Sequence, residues 1–212
     1  MSKKYRSISK KLLEWYEKNK NNYPWRETDN LFQILITEIL LQKTIATNVS
    51  NMYNNFFKKY KNFSIINQKD ISEIQADIEV LGLSNKRAQV LKDLSKMVLE
   101  VCNGDIPNNP EILKQVKGIA DYVSNAYLCF GLNKRTIFQD VNIKRVINRY
   151  FRGSDSKVKP DFIERKLDLL LPQSNCKVFY WAILDFGSKL CSKKNPKCVV
   201  CPINSACLFF KK

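Results

Sequence analysis

Four of the seven cysteines crowd into the last 22 residues, at Cys191, Cys198, Cys201 and Cys207, with the spacing C-x6-C-x2-C-x5-C. Four thiolates in so short a loop can wrap one metal centre, and the polar residues between them cannot build a core. Tetrahedral zinc and a cubane iron–sulfur cluster both accept four thiolates. Structural zinc sites usually pair their ligands as two short clips. Here only Cys198 and Cys201 form one, and the longer loops suit the bulkier [4Fe-4S] cluster. Lys189, Lys193, Lys194 and Lys197 surround the quartet. We therefore read the centre as a staple that orders a basic, phosphate-facing loop in preference to an electron carrier. Cys102, Cys129 and Cys176 lie in apolar helical stretches and read as core residues.

Two carboxylates stand out. Asp140 lies in Gln139-Asp140-Val141-Asn142, directly before IKRVINRYF. Helix capping is the commonest reason for an aspartate there, yet the same placement mounts a carboxylate on a rigid element. Glu38 lies within LFQILITEILLQ, where its helical neighbours are Ile34, Leu35, Leu41 and Gln42. On that largely apolar stripe a carboxyl group would be partly desolvated, would hold its proton to higher pH and could donate it. The alternative places Glu38 at the edge of the polar face beside Gln42. The chain has no histidine. That excludes imidazole acid–base catalysis, mixed Cys/His metal sites and Ser-His-Asp triads, leaving carboxylates, Lys, Tyr, hydroxyls, thiols or a cofactor to do the chemistry.

The elements that must position these groups are helical. Apolar residues recur at helical spacing over Ile8 to Asn19, Leu31 to Gln42, Ile45 to Tyr60, Ile71 to Leu81 and Lys86 to Val101. They return over Asp121 to Gly131, Val141 to Phe151, Phe162 to Leu171 and Cys176 to Leu190, and no period-2 run competes. The segment Ile112 to Phe130 predicts a helix ending near Gln115, a turn through Lys117-Gly118-Ile119-Ala120, and a new helix near Asp121. Such a hairpin aims backbone N–H groups at a phosphate, though a plain helix–helix connection would look the same. The net charge is +16, from 36 Lys and Arg against 20 Asp and Glu, which suits a polyanion partner better than a merely soluble surface. No run reaches a membrane span and MSKKYRSISK is no secretory signal, so the expectation is a cytoplasmic, nucleoid-associated protein.

In this order and spacing, these features resemble the helix-hairpin-helix DNA glycosylase superfamily over nearly the whole chain. Pro24-Trp25-Arg26 resembles the start of MutY-type adenine glycosylases. Ile36 to Thr44 looks like the segment that carries a catalytic Glu, and Val116 to Ser124 is similar to the hairpin pattern L-P-G-V-G-x-x-T-A. Asp140 to Val146 falls where the catalytic Asp lies, and the cysteine spacing is that of endonuclease III and its relatives. The resemblance implies an all-α fold with two helical domains flanking a DNA-binding cleft. One is a six-helix barrel domain with the hairpin, over residues 28–133. The other is a helical iron–sulfur domain built from residues 1–27 and 134–212.

Three details choose among subfamilies. The position of the nucleophilic Lys of endonuclease III is Tyr122 here, which cannot form a Schiff base. The chain runs five residues past Cys207, without the extra C-terminal domain of MutY-type enzymes. Tyr122 together with ILITEILL, GLSNKRA (Gly82 to Ala88) and RVINRYF (Arg145 to Phe151) looks closest to thymine glycosylases acting on G·T mismatches. The implied activity is monofunctional removal of thymine, and uracil, opposite guanine in double-stranded DNA by a monomer. The implied catalytic set is Asp140, Glu38 and Tyr122. Asp140 would stabilise the oxocarbenium-like transition state and direct water, while Glu38 and Tyr122 would line the base pocket. The implied DNA contacts are Gln42, Leu83, Lys117, Gly118, Ala120 and Asn142, with Gln42 and Leu83 as wedges. The alternatives are an adenine glycosylase lacking its extra domain, a glycosylase/lyase, and a non-catalytic iron–sulfur DNA-binding or redox-sensing protein. The sequence departs from the hairpin pattern at Val116-Lys117, in place of Leu-Pro, and at Ala120, in place of the second Gly. If that last position required a positive φ, Ala would be strained there.

Overall fold

A computed structural model describes residues 3–211. Among them only helices, turns and irregular segments occur, as the helical periodicity and the missing period-2 runs predict. The chain divides into two compact units, one of residues 1–21 with 133–212 and the other of residues 22–132.

In the first unit, α1 (Lys3–Asn19) lies against α11 (Cys176–Lys189) and α10 (Pro160–Leu170), and α11 lies in turn against α9 (Val141–Arg152). The spacing of Ile8, Leu12 and Tyr16 puts one buried stripe on α1. It meets a core that includes Ile143, Ile147, Ile163, Leu167, Phe179 and Ile183. Trp15 sets its ring edge-on to Phe186 at 5.3 Å. Asn21 closes the N-terminal segment on Asp185, donating through its backbone N–H at 2.9 Å and its side-chain amide at 2.8 Å. Local signals set the ends of the helices. Pro160 opens α10 at its first position, where a missing N–H costs nothing, and Gly153 closes α9 in the left-handed conformation at φ 64°.

In the second unit, α2 (Leu31–Leu40) is the innermost element. Phe32 and every residue from Ile34 to Leu40 are buried, beneath α8 (Asp121–Phe130), α6 (Ser84–Glu100) and α3 (Ala46–Lys59). The long helix α6 also carries α4 (Phe63–Gln68) and α5 (Ile71–Asp77). The short α7 (Pro110–Leu113) precedes α8. Asn30, Asn62 and Asn109 each cap a helix by accepting a backbone N–H. The 3-10 turn Pro24–Arg26 belongs to this unit, not to the N-terminal segment with which the sequence grouped it. The reason is aromatic packing: Trp25 is buried, stacks on Tyr23 at 4.5 Å and tilts against Tyr53 at 6.1 Å. No helix among the described residues is long and apolar enough to cross a membrane.

Candidate active site

Unit 22–132 brings the hairpin, Gln42 and Leu83 onto a common scaffold. Two turns lead from α7 to α8, with Val116 N–H bonded to Leu113 O and Ile119 N–H to Val116 O at 3.0 Å. Gly118 sits at φ +109°, and a Cβ there would lie 2.4 Å from Cγ2 of Val90 on α6. Only glycine meets both conditions. Ala120, the position in doubt from the sequence, is extended at φ −107°, ψ −179° and unstrained. Lys117 and Ala120 are exposed, and Tyr122 is half-buried in the first turn of α8. Lys114 bridges Glu111 and Asp121 at 2.7 and 2.9 Å, which steadies the hairpin's entry and exit.

Gln42 lies in the turn after α2 and donates its side-chain amide to Gly118 O at 3.1 Å. Leu83 is half-exposed and left-handed at φ 53°, a conformation a branched apolar residue adopts only under constraint. Glu38 is 3% exposed. The sequence left it between an apolar stripe and a polar edge, and the structure places it inside, because α2 is covered all round.

Unit 1–21/133–212 holds the other carboxylate. Asp140 caps α9, its Oδ1 accepting the Ile143 N–H at 2.7 Å and its Oδ2 the Asn142 side-chain amide at 2.9 Å. Burial pushes the Asp140 pKa above the usual aspartate value, against the opposing pull of these hydrogen bonds and of the Arg145 charge. Asn142 Oδ1 accepts from Arg145 Nη2 at 2.7 Å, and Arg145 also donates to Cys191 O at 2.7 Å and Gly187 O at 2.6 Å. The close approach of α9 and α11 needs Gly187, since a Cβ there would stand 2.8 Å from that of Asn142.

The four C-terminal cysteines of this unit line one shared pocket. Arg149, 2% exposed, braces the loop around them. It donates to Ser192 O at 2.8 Å and to Cys191 Sγ at 3.6 Å, while pairing with both oxygens of Asp155. Burial raises the thiol pKa values of Cys191, Cys198 and Cys201, the last to about 11. Among the described residues no group of three or more His, Cys, Asp or Glu side chains is arranged to hold a metal ion. Four soft thiols lining one pocket are the donor chemistry that zinc and iron–sulfur centres both take.

Arg87 is a residue that sequence reasoning missed. It lies within GLSNKRA and looks like one more surface cation, yet it is 3% exposed. Its Nη1 donates to Leu81 O at 2.9 Å and to Gly82 O, and its Nη2 donates to Gln42 O and Thr44 Oγ1. A signal existed: Arg87 falls on the same helical stripe as Leu91, Leu94 and Val98, the buried face of α6.

An all-helical chain with a glycine-dependent hairpin and a capped carboxylate defines a helix-hairpin-helix protein. Residues 36–173 match the family described as HhH-GPD superfamily base excision DNA repair protein, and the chain belongs to that family. It is similar to the thymine/uracil-DNA glycosylase of Methanothermobacter thermautotrophicus, with 34% identity covering 100% of this chain and 96% of that one. The thymine/uracil-DNA glycosylase of Pyrobaculum aerophilum is 32% identical, covering 98% of this chain and 94% of its own length. A solved thermostable thymine-DNA glycosylase superposes with a TM-score of 0.91 at 34% identity, covering 99% of this chain and 97% of that one.

Proposed function

We propose that this chain is a DNA N-glycosylase that removes thymine and uracil from mispairs with guanine in duplex DNA, as a monofunctional, monomeric enzyme. The observation that carries the reading is the end-to-end similarity, in sequence and fold, to two thymine/uracil-DNA glycosylases and a thymine-DNA glycosylase. The net charge of +16 suits a polyanionic partner.

In this reading the hairpin, through Gly118, Lys117 and Ala120, grips the backbone beside the lesion. Gln42 and Leu83 enter the stack, and the mispaired base, cheaper to open than a matched one, swings out. Asp140 acts as a carboxylate against the cationic character that builds on the sugar, and it directs the attacking water. Asn142 holds Asp140 Oδ2 in place and contacts the DNA backbone. Glu38 and Tyr122 bind the departing pyrimidine as negative charge gathers on it. Tyr122 has no amine for a Schiff base, so the product is an intact abasic strand.

Cys191, Cys198, Cys201 and Cys207 would hold a [4Fe-4S] cluster. When bound, that group serves as a structural staple for the loop carrying Lys193, Lys194 and Lys197. The test is single-turnover excision on G·T, G·U and A·oxoG duplexes, with the products examined for strand breaks. Excision of T and U with unbroken strands is expected. Preference for A opposite oxidised guanine, or nicked products, would overturn the reading.

A further inference from the structure

The buried guanidinium of Arg87 addresses two separate turns at once. One is Gln42 to Thr44, after α2. The other is Leu81 to Leu83, before α6. Each turn contains a non-glycine residue in the left-handed region, Lys43 at φ 53° and Leu83 at φ 53°. In both cases Arg87 binds the carbonyl immediately before that residue, Gln42 O and Gly82 O. It therefore fixes the two peptide planes that lead into the strained positions. Left-handed conformations of such residues persist only where the surroundings over-determine them. Thr44 reinforces the link by donating from Oγ1 to Leu81 O at 3.1 Å.

The same helix serves the hairpin. Val90, one turn on from Arg87, is the side chain against which Gly118 is seated, and Gln42 reaches Gly118 O from the turn that Arg87 holds. The exposed apolar tips Ile45, Val80 and Leu83 flank the joined turns. Two loops free to move separately would each lose conformational entropy on entering a base stack. Two loops bound to one planar cation have lost it already.

We propose that Arg87 is a positioning residue that locks the Gln42–Thr44 and Leu81–Leu83 turns into a single preorganised wedge, so that its contribution is to opening the base pair and not to bond cleavage. This rests on the glycosylase reading above.

The test compares Arg87→Met and Arg87→Lys with the wild type on two substrates: a G·U duplex, and the same duplex with uracil opposite an abasic site, where no pair has to be broken. Arg87→Met should slow single-turnover excision from G·U by about tenfold or more, the equivalent of one lost charge-assisted hydrogen bond. Excision of the unpaired uracil should change by less than about threefold. Arg87→Lys should stay slow on G·U, because a point-like ammonium cannot span both turns. Thr44→Val, which leaves the guanidinium in place, should show the same substrate pattern more weakly and covers the case in which Arg87→Met does not fold. A 2-aminopurine beside the mispair reads base opening without any excision. Its fluorescence should rise when the wild type binds and stay low with Arg87→Met. Equal slowing on both substrates, full activity of Arg87→Lys, or an unchanged fluorescence rise would overturn the proposal. The fluorescence arm judges Arg87 even if neither thymine nor uracil is excised, so it separates this proposal from the glycosylase reading.

Discussion

The side-chain amide of Asn142 donates to Oδ2 of Asp140 at 2.9 Å, while the backbone N–H of Ile143 donates to Oδ1 at 2.7 Å. Both carboxylate oxygens are thus oriented from within the first turn of the helix that Asp140 itself caps. The group is held as an anion by donors, in surroundings whose burial opposes that anion.

The first prediction concerns pH. Burial raises the Asp140 pKa, so protonation on acidification begins at higher pH than for a free aspartate. If the ionised form is required, the acidic limb of the single-turnover rate will lie above the ordinary aspartate range of about 4. Stability runs the other way. The stabilising contribution is complete below the unfolded-state pKa and is lost as pH rises through the folded-state value. Asp140→Asn keeps a capping oxygen and should abolish excision, leave DNA affinity nearly unchanged and cost no stability at neutral pH. Wild-type turnover by that variant would refute the assignment.

Removing the Asn142 amide should reduce the rate and displace the profile together. A hydrogen bond to a charged group is worth roughly 1.5–3 kcal/mol, so Asn142→Ala should slow excision about tenfold or more. Because that bond lowers the Asp140 pKa, its loss should move the acidic limb to still higher pH. A slower enzyme with an unmoved limb would show that Asn142 acts elsewhere.

Gly118 and Val90 should be energetically coupled. Gly118→Ala places a methyl 2.4 Å from Val90 Cγ2 at a backbone angle that costs about 1–3 kcal/mol for a side-chain-bearing residue. Val90→Ala removes the obstructing methyl but not the backbone cost. In a thermal-unfolding double-mutant cycle the second change should therefore recover part, not all, of what the first destroys. Strict additivity would argue against the close contact.

Replacing Tyr122 by Lys puts an amine at the start of α8. We expect borohydride to trap a protein–DNA adduct and strand nicking to appear, neither of which the wild type should show. Unbroken product strands and no adduct would mean that the first turn of α8 does not face the sugar.

Metal and sulfide analysis decides the cysteine cradle. Protein isolated without oxygen should carry about four iron and four acid-labile sulfide per chain, as a cubane requires, and Cys198→Ser should lose both. One zinc and no sulfide would settle the centre the other way.

Much of the scaffold was legible because long amphipathic helices announce themselves. The ranges read for α1, α2, α3, α6, α8, α9, α10 and α11 agree with the structure to within a few residues at most ends. Phe63–Gln68 escaped notice because six residues are too few to display a helical period, whereas the helix read as ending near Gln115 is the short Pro110–Leu113. Ile71 to Leu81 read as one helix but breaks at Ile78, with a separate 3-10 turn over Glu79–Leu81. Glu38 was ambiguous because periodicity assumes one wet face, and α2 has none. The hairpin's positive φ falls on Gly118, whereas Ala120 turned out extended. Arg87 was hidden for a different reason: three of its four partners are backbone carbonyls, which leave no trace in side-chain identity.

The end of the chain has a practical bearing. Leu208 N–H bonds to Tyr150 O and Phe209 N–H to Arg149 O, and the Arg149 guanidinium lies over the Phe209 ring at 4.5 Å. An affinity handle or fluorophore attached just beyond these residues would tug on the final turn of α9 and on the arginine bracing the thiol loop. Labels intended to leave the molecule undisturbed belong elsewhere on the surface. A spectroscopic probe at Phe210, by contrast, would report sensitively on whether that loop is intact.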